Sequence, residues 1–309
     1  MKVRPMEPLS LLEYVLALLE RAGVRQGGFA HQESGTHLLI HTAATGQDAT
    51  VYRPLLCAVL QGGKEVGTRA KTVTVRAGQS LIVSHALPII SRITEAEPER
   101  PYVALVVPLD LDLLRTLVPS VPPSSVPRAS DPFSICLSTT DDAMEDALLR
   151  YFCQCETEEA RQILAPITLR EIHARLLMGR HGGTLQKLLW HETTTSRIFE
   201  ATREIRSHLT NELVVTDLAQ KVGMSNSAFF EQFKAVTGTS PLQYQKDLRL
   251  LQARDALRTT GSKVSEIAFG VGYESSAQFS REYSRKFGCS PRHHLNQSLE
   301  TVQSPTEGF

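Results

Sequence analysis

Gln278, Arg281, Ser284 and Arg285 fall at helical spacing near the end of the 309-residue chain, and they are side-chain types that hydrogen-bond to base edges and phosphates. Arg281 can donate a bidentate pair to guanine, and Gln278 can pair with adenine. Arg285 and Lys286 suit phosphate. Earlier in the chain Ser227, Glu231, Lys234 and Ala235 form a comparable set, in which Glu231 can accept from the cytosine amino group and Lys234 suits phosphate. Glu274 and Ala277 stand where the later helix begins. Such chemistry works only if both sets are held on exposed helix faces.

The elements that would hold them form an internal repeat. Leu218, Ala219, Val222 and Gly223 recur 49 residues later as Ile267, Ala268, Val271 and Gly272. Phe229, Phe233, Gly238, Ser240 and Pro241 recur 50 residues later as Phe279, Tyr283, Gly288, Ser290 and Pro291. Each copy reads as a short helix, a glycine turn and a longer helix, the helix-turn-helix pattern. Alanine at 219 and 268 lets helices cross closely, Gly223 and Gly272 suit turns with positive φ, and Ser225 and either Ser275 or Glu274 can cap the second helix. The i, i+4 pairs Phe229/Phe233 and Phe279/Tyr283 pin the inner face, so rotation of about 100° per residue puts the polar sets outside. Two amphipathic helix pairs that merely pack together would not need small, glycine, aromatic and proline positions to recur in order. Between the copies, residues 241–258 read as one helix with Pro241 in its first turn, a rigid spacer able to hold two reading heads about 34 Å apart.

Composition is that of a globular chain of two or three domains. Lys plus Arg and Asp plus Glu are 33 each, but residues 196–296 hold 14 basic against 10 acidic side chains, so this part carries +4 and the rest −4. Charge that modest gives limited non-specific affinity for a polyanion, so specificity must come from base contacts or dimerisation.

Ahead of the repeat, residues 9–22 show one helical face. Residues 36–107 turn to short aliphatic runs at 37–40, 55–60, 71–75, 80–84 and 102–107, punctuated by glycine and proline, which reads as an antiparallel sandwich or small barrel. A short helix at 109–117 and a proline-serine linker around 119–132 follow, then a helix opened by Asp141-Asp142 and further helical texture at 158–178, serving as internal packing or a subunit interface. The expected division is 1–135, 136–195 as helical linker and dimerisation helices, 196–296, and a disordered tail at 297–309.

Five spread cysteines fit a reducing compartment, and no apolar run is long enough to span a bilayer; with no apolar signal core after Lys2 and Arg4, the expectation is a cytoplasmic protein away from membranes. Hydrolase, nucleotide-binding and zinc-protease motifs are absent, so no enzyme is expected. His31, His37, His41 and His85 are candidate metal ligands by type, but no His-x-His occurs among them, so neither metal nor cofactor is expected. Cys57, mid-strand, reads as a buried thiol or as a cavity group facing an effector.

The motifs Val222-Gly223-Met224-Ser225, Thr237-Gly238-Thr239-Ser240-Pro241, Leu251-Gln252-Ala253-Arg254, Val271-Gly272-Tyr273-Glu274-Ser275 and Phe287-Gly288-Cys289-Ser290-Pro291, with Phe233-Lys234, resemble those of the AraC-type transcriptional regulators. The stretch from Arg53 through Cys57 to Gly62, with Lys64, and residues 84–88 are similar to the N-terminal domain of one subgroup. That resemblance implies an α+β multidomain chain, with a cupin-like antiparallel β-barrel and flanking helices in front and an all-α double helix-turn-helix domain behind. It further implies a sequence-specific DNA-binding regulator of transcription, controlled by a small-molecule effector near Cys57, Val59 and His85. Promoter DNA, a second copy of the chain and RNA polymerase are the expected partners. A metal-dependent barrel enzyme with a helical recruitment domain is the alternative.

Overall fold

The computed structural model describes residues 9–68, 70–121, 133–189, 193–260 and 262–296. The tail expected at 297–309 and most of the proline-serine linker lie outside them. The chain divides after residue 196 into two compact units, with residues 49–51 grouped with the second.

In the first unit, α1 (Leu11–Arg21) starts where Ser10 and Glu13 close a capping box. Ten strands follow: β1 (Gly27–His31), β2 (Thr36–His41), β3 (Asp48–Tyr52), β4 (Leu55–Gln61), β5 (Gly63–Gly67), β6 (Thr72–Arg76), β7 (Gln79–Val83), β8 (Leu87–Glu95), β9 (Tyr102–Pro108) and β10 (Ile135–Thr139). They form a six-stranded sheet, β1-β2-β9-β4-β7-β10, and a four-stranded sheet, β3-β8-β5-β6. The paired registers β4–β7, β4–β9 and β5–β8 are antiparallel. This is the barrel-like sandwich that the punctuated aliphatic runs imply.

Strand β10 corrects the sequence reading. The expected boundary puts residues 136–139 with the helical segment, yet Ile135–Thr139 pairs with β7 from Ile135↔Val83 to Thr139↔Gln79. The five residues Ile-Cys-Leu-Ser-Thr show no alternation and give too short a pattern to separate a strand from a helix start. After β9, α2 (Leu111–Leu117) is capped by Asp110. α3 (Asp142–Cys155) is capped by Asp141, α4 (Glu158–Ile163) by Thr157, and α5 (Ala165–Met178) begins with Pro166 in its first turn. α6 (Gly182–Leu189) closes the unit.

Side chains alternate across β4, and this sets the layers. Leu56 and Ala58, with Ile82 and Leu105, join Leu11, Val15 and Leu19 of α1 and Leu148, Phe152, Ile172 and Leu176 of α3 and α5 in one core. The helices therefore cover one face of the six-stranded sheet. Cys57 and Val59 point to the other face, and both are buried.

The second unit is helical: α7 (Thr194–Ser207), α8 (Val215–Lys221), α9 (Asn226–Thr237), α10 (Pro241–Thr259), α11 (Val264–Gly270) and α12 (Ser276–Phe287). Leu250, Ala253 and Leu257 of α10 pack with Ile267, Ala268, Phe279 and Tyr283 of the second copy. Among the described residues no helix is long and apolar enough to cross a membrane.

Candidate nucleic-acid interface

The repeat folds twice into the same motif. Gly223 and Gly272 turn the chain at φ +68° and +89°, a region that costs other residues about 1–2 kcal/mol. Ser225 then accepts from the Ala228 amide and Ser275 from the Gln278 amide, so Ser275, and not Glu274, caps the second copy. Both long helices end on a left-handed glycine, Gly238 and Gly288. Ala219 and Ala268 have no exposed surface, nor do Phe229, Phe233, Phe279 and Tyr283. The ring pairs Phe229/Phe233 and Phe279/Tyr283 pack as tilted pairs at 5.5 and 5.4 Å between centroids.

With the inner faces pinned, Ser227, Glu231 and Lys234 of α9 are exposed, as are Ala277, Gln278, Arg281 and Arg285 of α12 and Glu274 ahead of it. Ser284 is half-buried. Each helix thus presents its expected set outward, Ser284 only in part. No described side chain is shown paired with Arg281 or Arg285, so both guanidiniums can meet an outside acceptor. Gln278 donates to Glu282 at 3.2 Å, which fixes the orientation of its amide.

Lys286 corrects the expectation of a phosphate contact. Its ammonium lies 2.7 Å from Asp247 of α10, and the two side chains are only 8% and 4% exposed. This buried pair ties α12 to α10. Next to it, Glu282 accepts from Lys246 at 3.1 Å and from Tyr273 at 2.9 Å. Burial alone would raise the Glu282 carboxyl, but its hydrogen bonds from Gln278, Lys246 and Tyr273 outweigh that and hold it below the usual carboxylate range. Lys286 looked like a phosphate group because it neighbours Arg285. The acid that claims it lies 39 residues away in sequence, beyond any local spacing rule. His294 bonds the Tyr283 hydroxyl at 2.7 Å.

One pair of residues escaped the sequence reading altogether. Arg197 of α7 donates to the Gly223 carbonyl at 3.1 Å, and Arg249 of α10 donates to the Gly272 carbonyl at 2.9 Å. Each turn is therefore held by an arginine from the helix that precedes its helix-turn-helix motif, and the repeat unit is three helices long. Arg249 also donates to the Leu209 and Asn211 carbonyls at 2.7 and 2.8 Å, which joins the second turn to the loop ahead of α8. The signal was an arginine in each preceding helix, at an offset of 52 where the motifs repeat at 49 and 50. Phe230 was missed as well: it is 43% exposed on α9 beside Glu231, an apolar group able to meet a thymine methyl.

The three residues expected at an effector site are all buried in the first unit. The structure puts Cys57 and Val59 on one face of β4, with the Lys64 ammonium 3.1 Å from the Cys57 sulfur. His85 follows β7 and contacts the hydroxyls of Ser84 and Ser134 at 3.3 and 3.1 Å. Burial pushes its pKa down to about 3, so it is a neutral core histidine at pH 7. Among the described residues no group of three or more His, Cys, Asp or Glu could hold a metal ion.

Comparison with known proteins places these features. Residues 34–184 match the family model described as the AraC-type transcriptional regulator N-terminus, and residues 218–297 match a helix-turn-helix domain model. The HTH-type transcriptional activator RhaS of Escherichia coli is 31% identical over 140 residues, 45% of this chain and 50% of RhaS. The chain thus spans about half the length of the curated relatives it matches. Among solved structures, ToxT of Vibrio cholerae bound to (E)-4-(8-methylnaphthalen-1-yl)but-3-enoic acid is similar with TM-score 0.56 at 11% identity, covering 84% of this chain and 99% of ToxT. Wild-type ToxT with a bound unsaturated fatty acid gives the same TM-score and identity, covering 84% of this chain and 94% of that one. That likeness extends to the fold. With an N-terminal family domain and a helix-turn-helix domain in order along one chain, the protein belongs to the AraC-type transcriptional regulators.

Proposed function

We infer that the protein is a sequence-specific, double-stranded-DNA-binding regulator of transcription, set by a small molecule in the N-terminal barrel. The observation that carries this is the pair of equivalent helices, α9 and α12, each capped, pinned by two buried aromatics and presenting exposed groups that read base edges. Base contact falls to Arg281, Gln278 and Glu231, with Ser227, Glu274, Ala277 and Ser284 alongside, and phosphate contact to Lys234 and Arg285.

An effector changes transcription only through unequal affinity for two arrangements of the protein. The interior face of β4, with Cys57 and Val59 and the buried Lys64 ammonium, is where an occupant would act, and ToxT with its organic acids supports a small-molecule occupant in this fold. His85, neutral and already bonded to two serines, contributes shape more than charge. Helices α3 to α5 then carry the coupling, as contacts between two copies of the chain or towards the DNA-binding unit. RNA polymerase is the partner through which output would change, and the cytoplasm the place.

Footprinting on DNA upstream of the neighbouring genes, with and without candidate metabolites, tests this. Protection of one defined site that changes with a metabolite supports the reading, whereas equal retention of specific and scrambled duplex refutes it.

A further inference from the structure

Between the outer face of the six-stranded sheet and the helices covering it lies a cavity of about 200 Å³, lined by polar side chains together with Met144 and Leu176, within an interface otherwise built largely of aliphatic side chains. Ser80 of β7 and Thr140 and Asp141 after β10 form one side, and Arg180 and His181 between α5 and α6 form the other. Ser80 shares its face with Ile82, so the cavity is separate from the barrel interior that Cys57 faces.

Two buried polar atoms here lack hydrogen-bond partners, Thr140 Oγ1 and His181 Nδ1. His181 is 4% exposed, and its other ring nitrogen already bonds Ser80 Oγ at 3.1 Å. Buried polar groups are normally satisfied, so two orphaned atoms on residues that line one cavity mark a place completed from outside. The volume holds roughly six or seven waters at about 30 Å³ each, below the size of drug-like sites, so a completing molecule is small.

Charge selects among small molecules. Arg175, which also lines the cavity, is committed to Glu171 at 2.7 and 2.9 Å. Arg180 is exposed at the mouth, and no described carboxylate is shown paired with it. Asp141 uses one oxygen to cap α3 at the Met144 amide, 2.8 Å away, which leaves its other oxygen to accept. A guanidinium fork takes a carboxylate, and the hydroxyl, imidazole and remaining carboxylate oxygen take hydroxyls.

We propose that this cavity binds a small hydroxylated monocarboxylate, its carboxylate on Arg180 and its hydroxyl among Thr140, His181 and Asp141. The occupant bridges β7 and the α5–α6 turn, so it tightens the sheet against its helices. This second site goes beyond the barrel effector and stands or falls separately from it.

The probe is glycolate, titrated into the full chain at constant ionic strength and followed by the imidazole ¹⁵N resonances, with a His181→Gln protein assigning His181. The expected result is a saturable shift of His181 that ethylene glycol, the neutral analogue, does not reproduce. Arg180→Ala should weaken it about tenfold or more, since a hydrogen bond to a charged group is lost. Arg180 is exposed, so its removal leaves the packing intact, and Thr140→Val gives an independent loss. No saturable shift up to about 100 mM, the range suited to so few atoms, would overturn the proposal. Equal shifts from ethylene glycol, or undiminished binding in Arg180→Ala, would overturn it as well. None of these results depends on DNA binding or on a barrel ligand.

Discussion

Gly223 and Gly272 are equivalent in the repeat, yet an added methyl group meets different surroundings at each. At Gly223 the nearest heavy atom to a Cβ is Arg197 Nη1 at 3.8 Å, so Gly223→Ala costs only the positive φ, about 1–2 kcal/mol. At Gly272 the same Cβ would lie 2.5 Å from the Thr210 carbonyl oxygen, 2.8 Å from Thr210 Cα and 3.0 Å from Arg249 Cζ. These are backbone atoms and a guanidinium fixed by three carbonyls, so the overlap adds about 1–3 kcal/mol of overpacking to the φ cost. Gly272→Ala should therefore lose about 2–5 kcal/mol. Urea unfolding of the two proteins, followed by circular dichroism, measures the difference. Gly272→Ala should also weaken DNA binding more, because it separates the second turn from the loop ahead of α8. Losses that agree within about 0.5 kcal/mol would refute the claim that Arg249 and Gly272 lock the two motifs together.

Three further outcomes follow from named contacts. Lys286→Ala should destabilise the fold by about 3 kcal/mol, as breaking a buried pair does, while Lys286→Met combined with Asp247→Leu recovers most of it; a stable Lys286→Ala protein with weaker DNA binding would restore its phosphate role. Burial holds His85 at about 3 and His181 at about 4 against an ordinary 6.5. Between about pH 4 and 6.5 the unfolded chain binds protons that the folded chain refuses, so this stability is fully present above the window and falls on acidification by up to about 1.4 kcal/mol per pH unit per histidine. Urea midpoints across that range should fall with pH, less steeply in His181→Gln; a flat profile contradicts the burial. Arg285→Ala should weaken binding evenly across sequences and lower the salt slope by about one, read from a salt titration, whereas loss confined to one base pair would make it a base reader.

What the sequence made legible depended on how local the determining physics was. The helix-turn-helix units could be read because capping serines, turn glycines and i, i+4 aromatics act within one or two turns. Strands β4, β7 and β9 announced themselves as buried aliphatic runs. Strand β5, bounded by Gly63 and Gly67, and β8, with Pro88 inside it, carry no such run and are strands because their neighbours supply the pairing. The same distinction separates Arg281 from Lys286. Both are basic residues on α12, and only the fold brings Asp247 beside one of them. The orphaned Thr140 and His181 atoms are likewise a property of packing, invisible before β10 is set against the α5–α6 turn.

The most direct measurement is selection of bound sequences from a random duplex pool by the full chain, repeated with Arg281→Ala. The account predicts a site with two clusters of required bases about ten base pairs apart on one face of the duplex, and in Arg281→Ala a loss of about 1–3 kcal/mol with relaxed choice at a single position. A pool that shows no enrichment, or an Arg281→Ala protein that selects the same sequence with the same strength, would contradict it.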